Sequence, residues 1–348
     1  MRRSLLSLAA LATLATTSVA VHAQSSVTLF GVVDAAVRQV KNGSAGSQVQ
    51  LASGSNTTSR WGLRGVEDLG GGMQAGFHLE SQLNVDTGTV DATRFFGRRS
   101  TVSLSGGFGE IRLGRDYTPT AYNTFNDEFG IVGVGSRGIF SYGGGSNLGS
   151  TASTVLRTDN SVGYFIPNMG GLYGHVQFSA GEGVDGNQYA GGRLGYKRQN
   201  MDIAVAYGKT DTGASTPDFK NYNIMFNYNF GFVTLYTLYD VKEWSPRKTR
   251  DLSIGAAFPV SSGTIRVGIT RADRSGGASG SGFSDADDST RLGVGYVHDV
   301  SRRTALYTTY GRVNNKGAAR SSVLYTPPAG MLGGEDSSGF EVGIRHVF

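Results

Sequence analysis

Apolar and polar residues alternate with a period of two along much of this chain, and this alternation limits the possible folds more than any other feature. In the last segment the apolar set is Phe340, Val342, Ile344 and Phe348, and the set between them is Glu341, Gly343 and Arg345. Successive side chains of a strand point to opposite faces, so the segment is predicted to be a strand with one apolar face. One such strand also occurs in soluble β-sandwiches, so the fold class depends on how many segments of the chain repeat the pattern.

The same alternation recurs in earlier segments. Four clear examples are residues 223–230, 251–260, 264–270 and 291–296. In the first of these, Ile224 and Phe226 alternate with Asn223 and Asn227. Helical spacing fits none of the four, and they are rich in Val, Tyr, Thr and Phe, which favour strands. The chain is therefore predicted to be all-β.

Short and long connections alternate between the predicted strands. The short ones lie at 67–72, 106–107, 168–171, 199–200, 229–231, 261–263 and 301–303. The long ones lie at 41–58, 84–93, 119–156, 181–187, 211–218, 243–248, 274–288 and 314–338. Short turns at one end and long loops at the other are typical of an antiparallel barrel in the outer membrane. Counting hairpins predicts about sixteen strands, and a barrel of that size encloses a water-filled channel.

The first 23 residues have the features of a secretory signal peptide. Arg2 and Arg3 precede an apolar stretch, which closes on small residues at Val21 and Ala23. We expect cleavage after Ala23 and a single transmembrane barrel formed by residues 24–348, located in the cell outer membrane. No other segment offers the ~20 consecutive apolar residues that a spanning helix needs.

Other classes of protein are disfavoured by what the sequence lacks. It contains no cysteine, so neither a disulfide framework nor a thiolate metal site is possible. Its basic residues are scattered, whereas a nucleic-acid site needs a cluster. No histidine lies in a triad or dyad motif, and the acidic run 284–288 matches no metal loop. We therefore expect a channel that is not an enzyme and has no cofactor, metal or nucleic-acid partner. Two rival classes are an outer-membrane barrel enzyme, such as a lipase or protease, and a soluble or anchored β protein that acts as an adhesin.

Several motifs in order resemble those of the general diffusion porins of Gram-negative outer membranes, most closely the β-proteobacterial branch. The matching segments are 25–35, 59–70, 96–99, 113–115 and 128–130. The resemblance covers the whole chain. It implies a 16-stranded antiparallel transmembrane β-barrel with short periplasmic turns, long extracellular loops and a third loop that folds inward to narrow the pore. It also implies passive diffusion of ions and small hydrophilic solutes.

The resemblance also assigns the pore constriction. The third loop is 119–156, and its acidic face is expected to carry Glu128 and, less directly, Asp127. Relatives often have a further acid four residues before this glutamate, where Thr124 stands here. The arginine ladder on the opposite wall is expected to comprise Arg60, Arg64, Arg98 and Arg157.

Alternation gives independent support for part of this ladder. It places Arg60 and Arg64 on the face opposite Trp61 and Leu63. For the next arginine, alternation alone favours Arg99, and the resemblance favours Arg98.

Further roles follow from the same comparison of motifs. Arg112 is expected in the lumen outside the constriction, because it alternates with Ile111 and Leu113. Arg115 has the opposite parity and is expected to meet Asp86 or Asp91 of a neighbouring subunit as a latch in a homotrimer. Phe348 is expected to be the signal for membrane insertion, read by the barrel-insertion machinery. Outer-membrane lipid and lipopolysaccharide are the other expected partners.

Arginines outnumber carboxylates among these constriction residues. The expected function is therefore a water-filled channel with a mild preference for anions, because fixed positive charge raises the local concentration of anions. The alternative within transport is a substrate-selective outer-membrane channel for a sugar or a small organic anion.

Overall fold

The computed structural model describes residues 26–91, 93–125, 127–129, 133–138 and 147–348. The predicted signal peptide, residues 1–23, lies outside this part of the chain. The described part contains eighteen strands, one short α-helix and one turn of 3-10 helix. No helix in these ranges is long and apolar enough to cross a membrane.

Sixteen of the strands form the wall of a barrel. They are β1 (Ser26–Asn42), β3 (Arg60–Gly70), β4 (Met73–Asn84), β6 (Arg99–Gly106), β7 (Gly109–Tyr117), β8 (Arg157–Phe165), β9 (Leu172–Ser179), β10 (Tyr189–Arg198), β11 (Met201–Thr210), β12 (Phe219–Asn229), β13 (Thr234–Trp244), β14 (Arg247–Val260), β15 (Gly263–Ser275), β16 (Ser289–Asp299), β17 (Thr304–Asn315) and β18 (Ser337–Val347). The remaining elements are the short strands β2 (Ser47–Ser53) and β5 (Thr89–Val90), the helix α1 (Pro119–Thr124) and the 3-10 turn Gly43–Ala45.

The wall strands pair antiparallel in chain order, and β18 pairs with β1 to close the barrel. Closure removes the free sheet edges, which could not be satisfied in lipid. The predicted alternation is confirmed: in β18, Val342 on the outer face is 52% exposed, and its neighbour Glu341 on the inner face is 1% exposed. The prediction of a 16-stranded antiparallel barrel is therefore correct.

The second strand of the barrel is interrupted. Both β2 and β3 pair with β1, and residues 54–59 form a short insert between them on the inner side of the wall. Asp34 of β1 holds this insert, because its carboxylate accepts hydrogen bonds from the backbone N–H groups of Asn56 (3.1 Å) and Thr57 (2.8 Å). The hydroxyl of Tyr307 donates a third bond of 2.6 Å to Asp34. The insert therefore narrows the lumen beside β1.

One predicted long connection is wrong. The segment 243–248 was expected to be a loop, but β13 and β14 are joined by Ser245 and Pro246 alone, and their pairing continues to Trp244 and Arg247. Both faces of these strand ends carry polar residues, as expected above the membrane, so alternation ends before the strands do. The ion pair between Lys248 and Glu243 (3.2 Å) bridges the extended hairpin.

Phe348 completes the seam between the two chain ends. Its backbone N–H donates to Gly31 O and its carbonyl accepts from Gly31 N, each at 3.1 Å. The ring lies against Gly31 on the outer face, where any side chain would collide with it. The terminal aromatic ring therefore fills a space left by a glycine.

An arginine in the middle of the outer face should destabilise the barrel in lipid. We expect Val342→Arg to lower the free energy of unfolding in phospholipid vesicles by about 2–4 kcal/mol, because the guanidinium must be accommodated within hydrocarbon. Reversible urea unfolding measures the change. The control is Val184→Arg, which lies between β9 and β10 at a similar exposure of 57%. Equal losses in the two variants would contradict a lipid-facing outer surface.

Candidate pore constriction

Residues 119–156, here called loop L3, connect β7 to β8, and the described parts of this loop lie inside the barrel. The loop begins with α1, whose N-cap Thr118 accepts a hydrogen bond from Ala121 N (3.3 Å) through its side chain. Pro119 occupies the first turn, where its missing N–H costs nothing. The helix thus starts at a defined point, immediately after the wall strand.

A network of amide side chains holds α1 against β11 and β12. Asn123 Nδ2 donates to Asn223 Oδ1 (2.9 Å) and to Ala204 O (3.3 Å), and Asn223 Nδ2 donates to Thr120 O (3.1 Å). Asn223 also donates to Asp240 (2.9 Å), whose other oxygen accepts from Lys242 Nζ (2.7 Å). These wall groups are buried, and their hydrogen bonds specify one orientation of the helix.

Beyond α1, loop L3 lies along a stretch of the inner wall that has no side chains. We call this stretch the glycine trough, and it comprises Gly255, Gly268, Gly293, Gly295, Gly311 and Gly339. A β-carbon at Gly293 would lie 2.6 Å from Gly135 O, which is closer than real contacts allow, and 3.1 Å from the ring of Phe129, which is closer than most contacts. The other members contact Glu128, Phe129 or Val134 in the same way. The loop can lie this close because these wall positions are glycine.

Three charged side chains of loop L3 form ion pairs where the loop contacts the glycine trough. Arg137 Nη2 lies 2.8 Å from Glu128 Oε2, and Arg137 Nε lies 3.4 Å from Asp127 Oδ2. The three side chains are at most 3% exposed. Burial, together with the charge of Glu128, raises the pKa of Asp127. Phe129 N donates a 2.6 Å hydrogen bond to the same carboxylate.

The placement of these two acids differs from the sequence expectation. Glu128 and Asp127 were expected on an acidic face of the loop that is open to the pore. The structure instead buries them between L3 and the wall, where Glu128 lies over Gly255 and Gly268. The physical reason is Arg137, which lies within the same loop and supplies the positive charge that makes the burial of two carboxylates tolerable.

Three predicted arginines converge on one part of the opposite wall. Arg98 Nε lies 2.6 Å from Glu80 Oε1, and Arg60 Nε lies 3.7 Å from Glu80 Oε2. The hydroxyl of Tyr117 accepts hydrogen bonds from Arg98 (2.9 Å) and from Arg157 (2.7 Å). We call Arg60, Arg64, Arg98 and Arg157 the arginine wall.

The arginine wall carries more charge than its carboxylate balances. Arg157 donates to Arg98 O (2.8 Å) and lies 4.3 Å from the centroid of the Tyr117 ring. Arg64 lies 5.1 Å from the centroid of the Phe30 ring. Within the described ranges, neither guanidinium has a carboxylate within 4 Å. Of the four arginines, Arg60 and Arg98 thus have an ion-pair partner, Glu80, among the described residues.

The strand order puts Arg98 of the arginine wall and Gly255 of the glycine trough on opposite sides of the lumen. Arg98 directly precedes β6, the fourth wall strand, and Gly255 lies on β14, the twelfth. They are eight strand positions apart in a ring of sixteen. The structure also explains why the sequence left open whether Arg98 or Arg99 faces the lumen. Arg98 lies before the strand begins, so alternation does not apply to it, and both side chains contact lumen acids.

The lumen position of Arg112 agrees with its parity, but its charge is balanced. It lies 2.9 Å from Glu110 and 2.6 Å from Asp116, and Asp116 also lies 3.6 Å from Arg99. Its guanidinium stacks 4.0 Å from the centroid of the Phe165 ring. Two arginines thus face two carboxylates in this group, which adds little net charge to the lumen.

Arg115 lies on the outer face, as its parity predicts, and is paired within its own chain. Nη1 lies 2.6 Å from Asp159 Oδ1, and Nε donates to Gly97 O (2.7 Å). Asp91 accepts from the side chain and backbone of Thr93, and these bonds lower the pKa of Asp91. Asp86 is exposed. No hydrogen bond or ion pair joins Arg115 to Asp86 or Asp91 within one chain of the described structure.

Sequence reasoning missed Glu80 and Tyr117, the two residues that organise the arginine wall. Glu80 could have been found, because His78 and Glu80 alternate with Phe77 and Leu79 along β4. Tyr117 gives no such signal, since its role depends on where its hydroxyl meets two arginines from distant segments.

Comparisons with known proteins agree with this architecture. The family model described as Gram-negative porin matches residues 7–318. The chain is 36% identical to outer membrane porin protein 32 of Delftia acidovorans and 28% identical to an outer membrane porin protein of Bordetella pertussis, each over the full length of both chains. The solved structure of an anion-selective porin from Comamonas acidovorans aligns with a TM-score of 0.81 at 34% identity, covering 93% of this chain and all of that one.

A side chain in the glycine trough should move loop L3 toward the lumen. We expect Gly293→Val to lower single-channel conductance in planar bilayers, because the added methyl groups occupy the space now filled by Gly135 and Phe129. The control is Gly192→Val on β10, where a β-carbon meets its nearest atoms at an ordinary 3.5 Å. Unchanged conductance in a folded Gly293→Val barrel would contradict the importance of this contact.

Proposed function

Because the chain belongs to the Gram-negative porin family and is an outer-membrane porin, we propose that it forms a mildly anion-preferring diffusion channel whose constriction lies between loop L3 and the arginine wall. The proposed channel is formed by residues 24–348 after removal of residues 1–23. Ions and small hydrophilic solutes cross it passively. The protein binds and orders what passes and transforms nothing, so we propose a channel rather than an enzyme.

The observation that carries the proposal is the imbalance of charge around the lumen. The acids expected on L3 are buried against Arg137, and the arginine wall has Glu80 as its ion-pair partner among the described residues. Fixed positive charge in a narrow aqueous gap concentrates anions and repels cations. The similar Comamonas porin is anion-selective, and this supports the same preference for the present chain.

The size of the effect follows from simple electrostatics. Two unit charges about 6 Å apart interact by roughly 0.7 kcal/mol in bulk water and by about 3 kcal/mol at an effective dielectric constant of 20. These energies correspond to a bias of a few-fold up to about 100-fold. In a wide, water-filled pore, the bias is expected at the lower end of this range. The result is a preference among solutes, with passage of both ion signs.

A substrate-selective channel for a small organic anion is the second candidate. It is favoured by aromatic rings beside the arginine wall: Tyr117 and Phe125 are in edge contact at 4.6 Å, and Tyr117 and Tyr122 at 6.0 Å. Such rings next to guanidinium groups suit a solute with both an apolar body and a carboxylate. Saturation of the current by one organic anion, with no effect of others, would favour this candidate over free diffusion.

We further propose that the channel is a homotrimer in contact with outer-membrane lipid and lipopolysaccharide, assembled by insertion machinery that reads Phe348. One structural neighbour, OmpT of Vibrio cholerae, has been solved in a trimer form, and at 14% identity it supports the fold. In the proposed latch, Arg115 would meet Asp86 of a neighbouring subunit. Asp86 is the better candidate because the carboxylate of Asp91 is engaged in its own turn.

Ion selectivity tests the arginine wall. Arg60→Ala combined with Arg98→Ala removes two positive charges and leaves Glu80 without these partners, so the anion-to-cation permeability ratio should fall by about threefold or more. Reversal potentials under a salt gradient in planar bilayers measure this ratio. Glu80→Gln should change the ratio in the opposite direction.

The matched control for this test is Arg302→Ala combined with Arg303→Ala. These arginines lie in the exposed turn between β16 and β17 and are expected to leave the ratio nearly unchanged. An unchanged reversal potential in the Arg60 and Arg98 variant would refute the assignment of the constriction.

The latch has its own test. Asp86→Asn should lower the temperature at which the trimer dissociates in detergent gels, because a charged contact between subunits is lost. Asp91→Asn should have little effect, since its carboxylate is used locally. If Asp91→Asn lowers the dissociation temperature and Asp86→Asn does not, the latch is Asp91 and Asp86 is rejected.

A further inference from the structure

The ring of Tyr117 lies between loop L3 and Arg98 and Arg157 of the arginine wall. Tyr117 is the last residue of β7 and pairs with Arg157, the first residue of β8. The guanidinium carbon of Arg157 lies 4.3 Å from the centroid of this ring. From L3, the ring of Phe125 meets the ring of Tyr117 edge-on at a centroid distance of 4.6 Å. One side chain therefore contacts both the loop and the guanidinium groups beside it.

The hydroxyl of Tyr117 determines where two guanidinium groups lie. It accepts hydrogen bonds from Arg98 (2.9 Å) and from Arg157 (2.7 Å), so both cations are held at one neutral oxygen although they repel each other. Arg98 also pairs with Glu80 at 2.6 Å. In the described ranges Arg157 has no carboxylate within 4 Å, and it also donates to Arg98 O (2.8 Å). The position of Arg157 therefore depends mainly on Tyr117.

Loop L3 holds the ring of Tyr117 in place through Phe125. Phe125 follows α1 directly, and its backbone N–H donates to Ala121 O (3.1 Å), so the helix fixes where this side chain begins. Asn123 in turn ties the helix to Asn223 of β12. A tyrosine side chain rotates about two bonds, and close packing of its ring removes this freedom. Phe125 is uncharged, so it alters the distribution of ions only by excluding volume or through the groups that it positions.

A second ring of the helix, Tyr122, extends this contact to the neighbouring strands. It lies edge-on to Tyr117 at 6.0 Å and to His175 of β9 at 5.0 Å, and its hydroxyl accepts a 3.3 Å hydrogen bond from Arg112 of β7. The ring of His175 stacks on that of Phe165 of β8 at 4.4 Å. Rings thus run without a break from the inner wall through α1 to Tyr117, so a displacement of the helix would change the position of Tyr117.

We propose that Phe125 and Tyr122 are positioning residues for ion selectivity, which act through Tyr117 on the spacing of Arg98 and Arg157. The proposal rests on the proposed function, because it requires that the arginine wall determines the ion preference. It assigns a second role to loop L3. The loop narrows the lumen, and its two aromatic side chains keep the guanidinium groups beside it in place.

The expected effect follows from the distance dependence of electrostatic energy. The interaction of a fixed charge with a passing ion is inversely proportional to their separation, so a guanidinium group that turns away from the pore loses influence without any change in net charge. When the shared hydroxyl is displaced or removed, repulsion drives Arg157 away from Arg98, and the field at the constriction weakens. A neutral substitution in L3 should therefore reduce selectivity.

Reversal potentials of the purified porin in planar bilayers test this proposal. Under a potassium chloride gradient, Phe125→Ala should lower the anion-to-cation permeability ratio about twofold, although it removes no charge. Tyr122→Ala should lower the ratio in the same direction. Phe125→Tyr keeps the ring contact and should keep the wild-type ratio. Tyr117→Phe keeps the ring, removes the shared acceptor and should lower the ratio about as much as Phe125→Ala.

A double-mutant cycle separates positioning from simple widening of the pore. If Phe125 acts through the hydroxyl of Tyr117, Phe125→Ala in the Tyr117→Phe background should cause no further fall in the ratio. Widening alone would lower the ratio by the same factor in both backgrounds. The matched control is Phe232→Ala, the same truncation in the turn between β12 and β13, where the ring is 73% exposed. This control should keep the wild-type ratio.

Folding of each variant is checked by the heat-dependent mobility of the barrel in detergent gels. If Phe125→Ala does not fold, Phe125→Leu takes its place, because leucine keeps apolar volume and lacks the flat ring that meets Tyr117. It should lower the ratio in the same direction.

Three results would overturn the positioning role: an unchanged ratio in Phe125→Ala, Tyr122→Ala or Tyr117→Phe, an equal fall caused by Phe125→Ala in both backgrounds, or a fall in Phe125→Tyr as large as that in Phe125→Ala. The variant that combines Arg60→Ala with Arg98→Ala is measured alongside. If its ratio is unchanged, the proposed function fails. If its ratio falls and those of the aromatic variants do not, only the positioning role fails.

Discussion

The fit of loop L3 into the glycine trough is the constraint on which the rest of this pore depends. A wall of ordinary side chains would keep the loop several ångströms from the backbone of β14 to β18. The absence of β-carbons at positions such as Gly293 lets Gly135 and Phe129 reach that backbone directly. At the other end, Asn123 and Asn223 hold α1 against the wall. The loop is therefore positioned by close packing at one end and by hydrogen bonds at the other.

This packing also decides the charge of the lumen. Lying in the trough buries Glu128 and Asp127, and their burial requires the compensating charge of Arg137. The negative charge that might have balanced the arginine wall is thereby kept within the loop. Glu80 holds Arg60 and Arg98 at defined distances without cancelling the four arginines. Geometry and selectivity therefore have one origin, because the same contact that narrows the pore leaves it positive.

The sequence predicted the architecture well and the site in part. Alternation identified Arg60 and Arg64 as lumen residues because both lie inside regular strands. For the next arginine it favoured Arg99 and missed Arg98, since Arg98 lies just before β6, where the two-residue period does not apply. The expected loop at 243–248 was wrong because polar residues cover both faces of those strand ends. The acidic face of L3 could not be judged correctly, since the pairing of Glu128 with Arg137 depends on how the loop folds back on itself.

The sequence alone determined the closed barrel, its approximate strand number and the face of the residues in the regular middle of each strand. These properties follow from the two-residue period of a strand and from the need to pair every backbone group in lipid. Only the tertiary structure decided which glycines receive L3 and which acids are buried. The contacts between L3 and the glycine trough join residues more than a hundred positions apart, and the pairing of Glu128 with Arg137 depends on how the loop folds, so no local pattern records either.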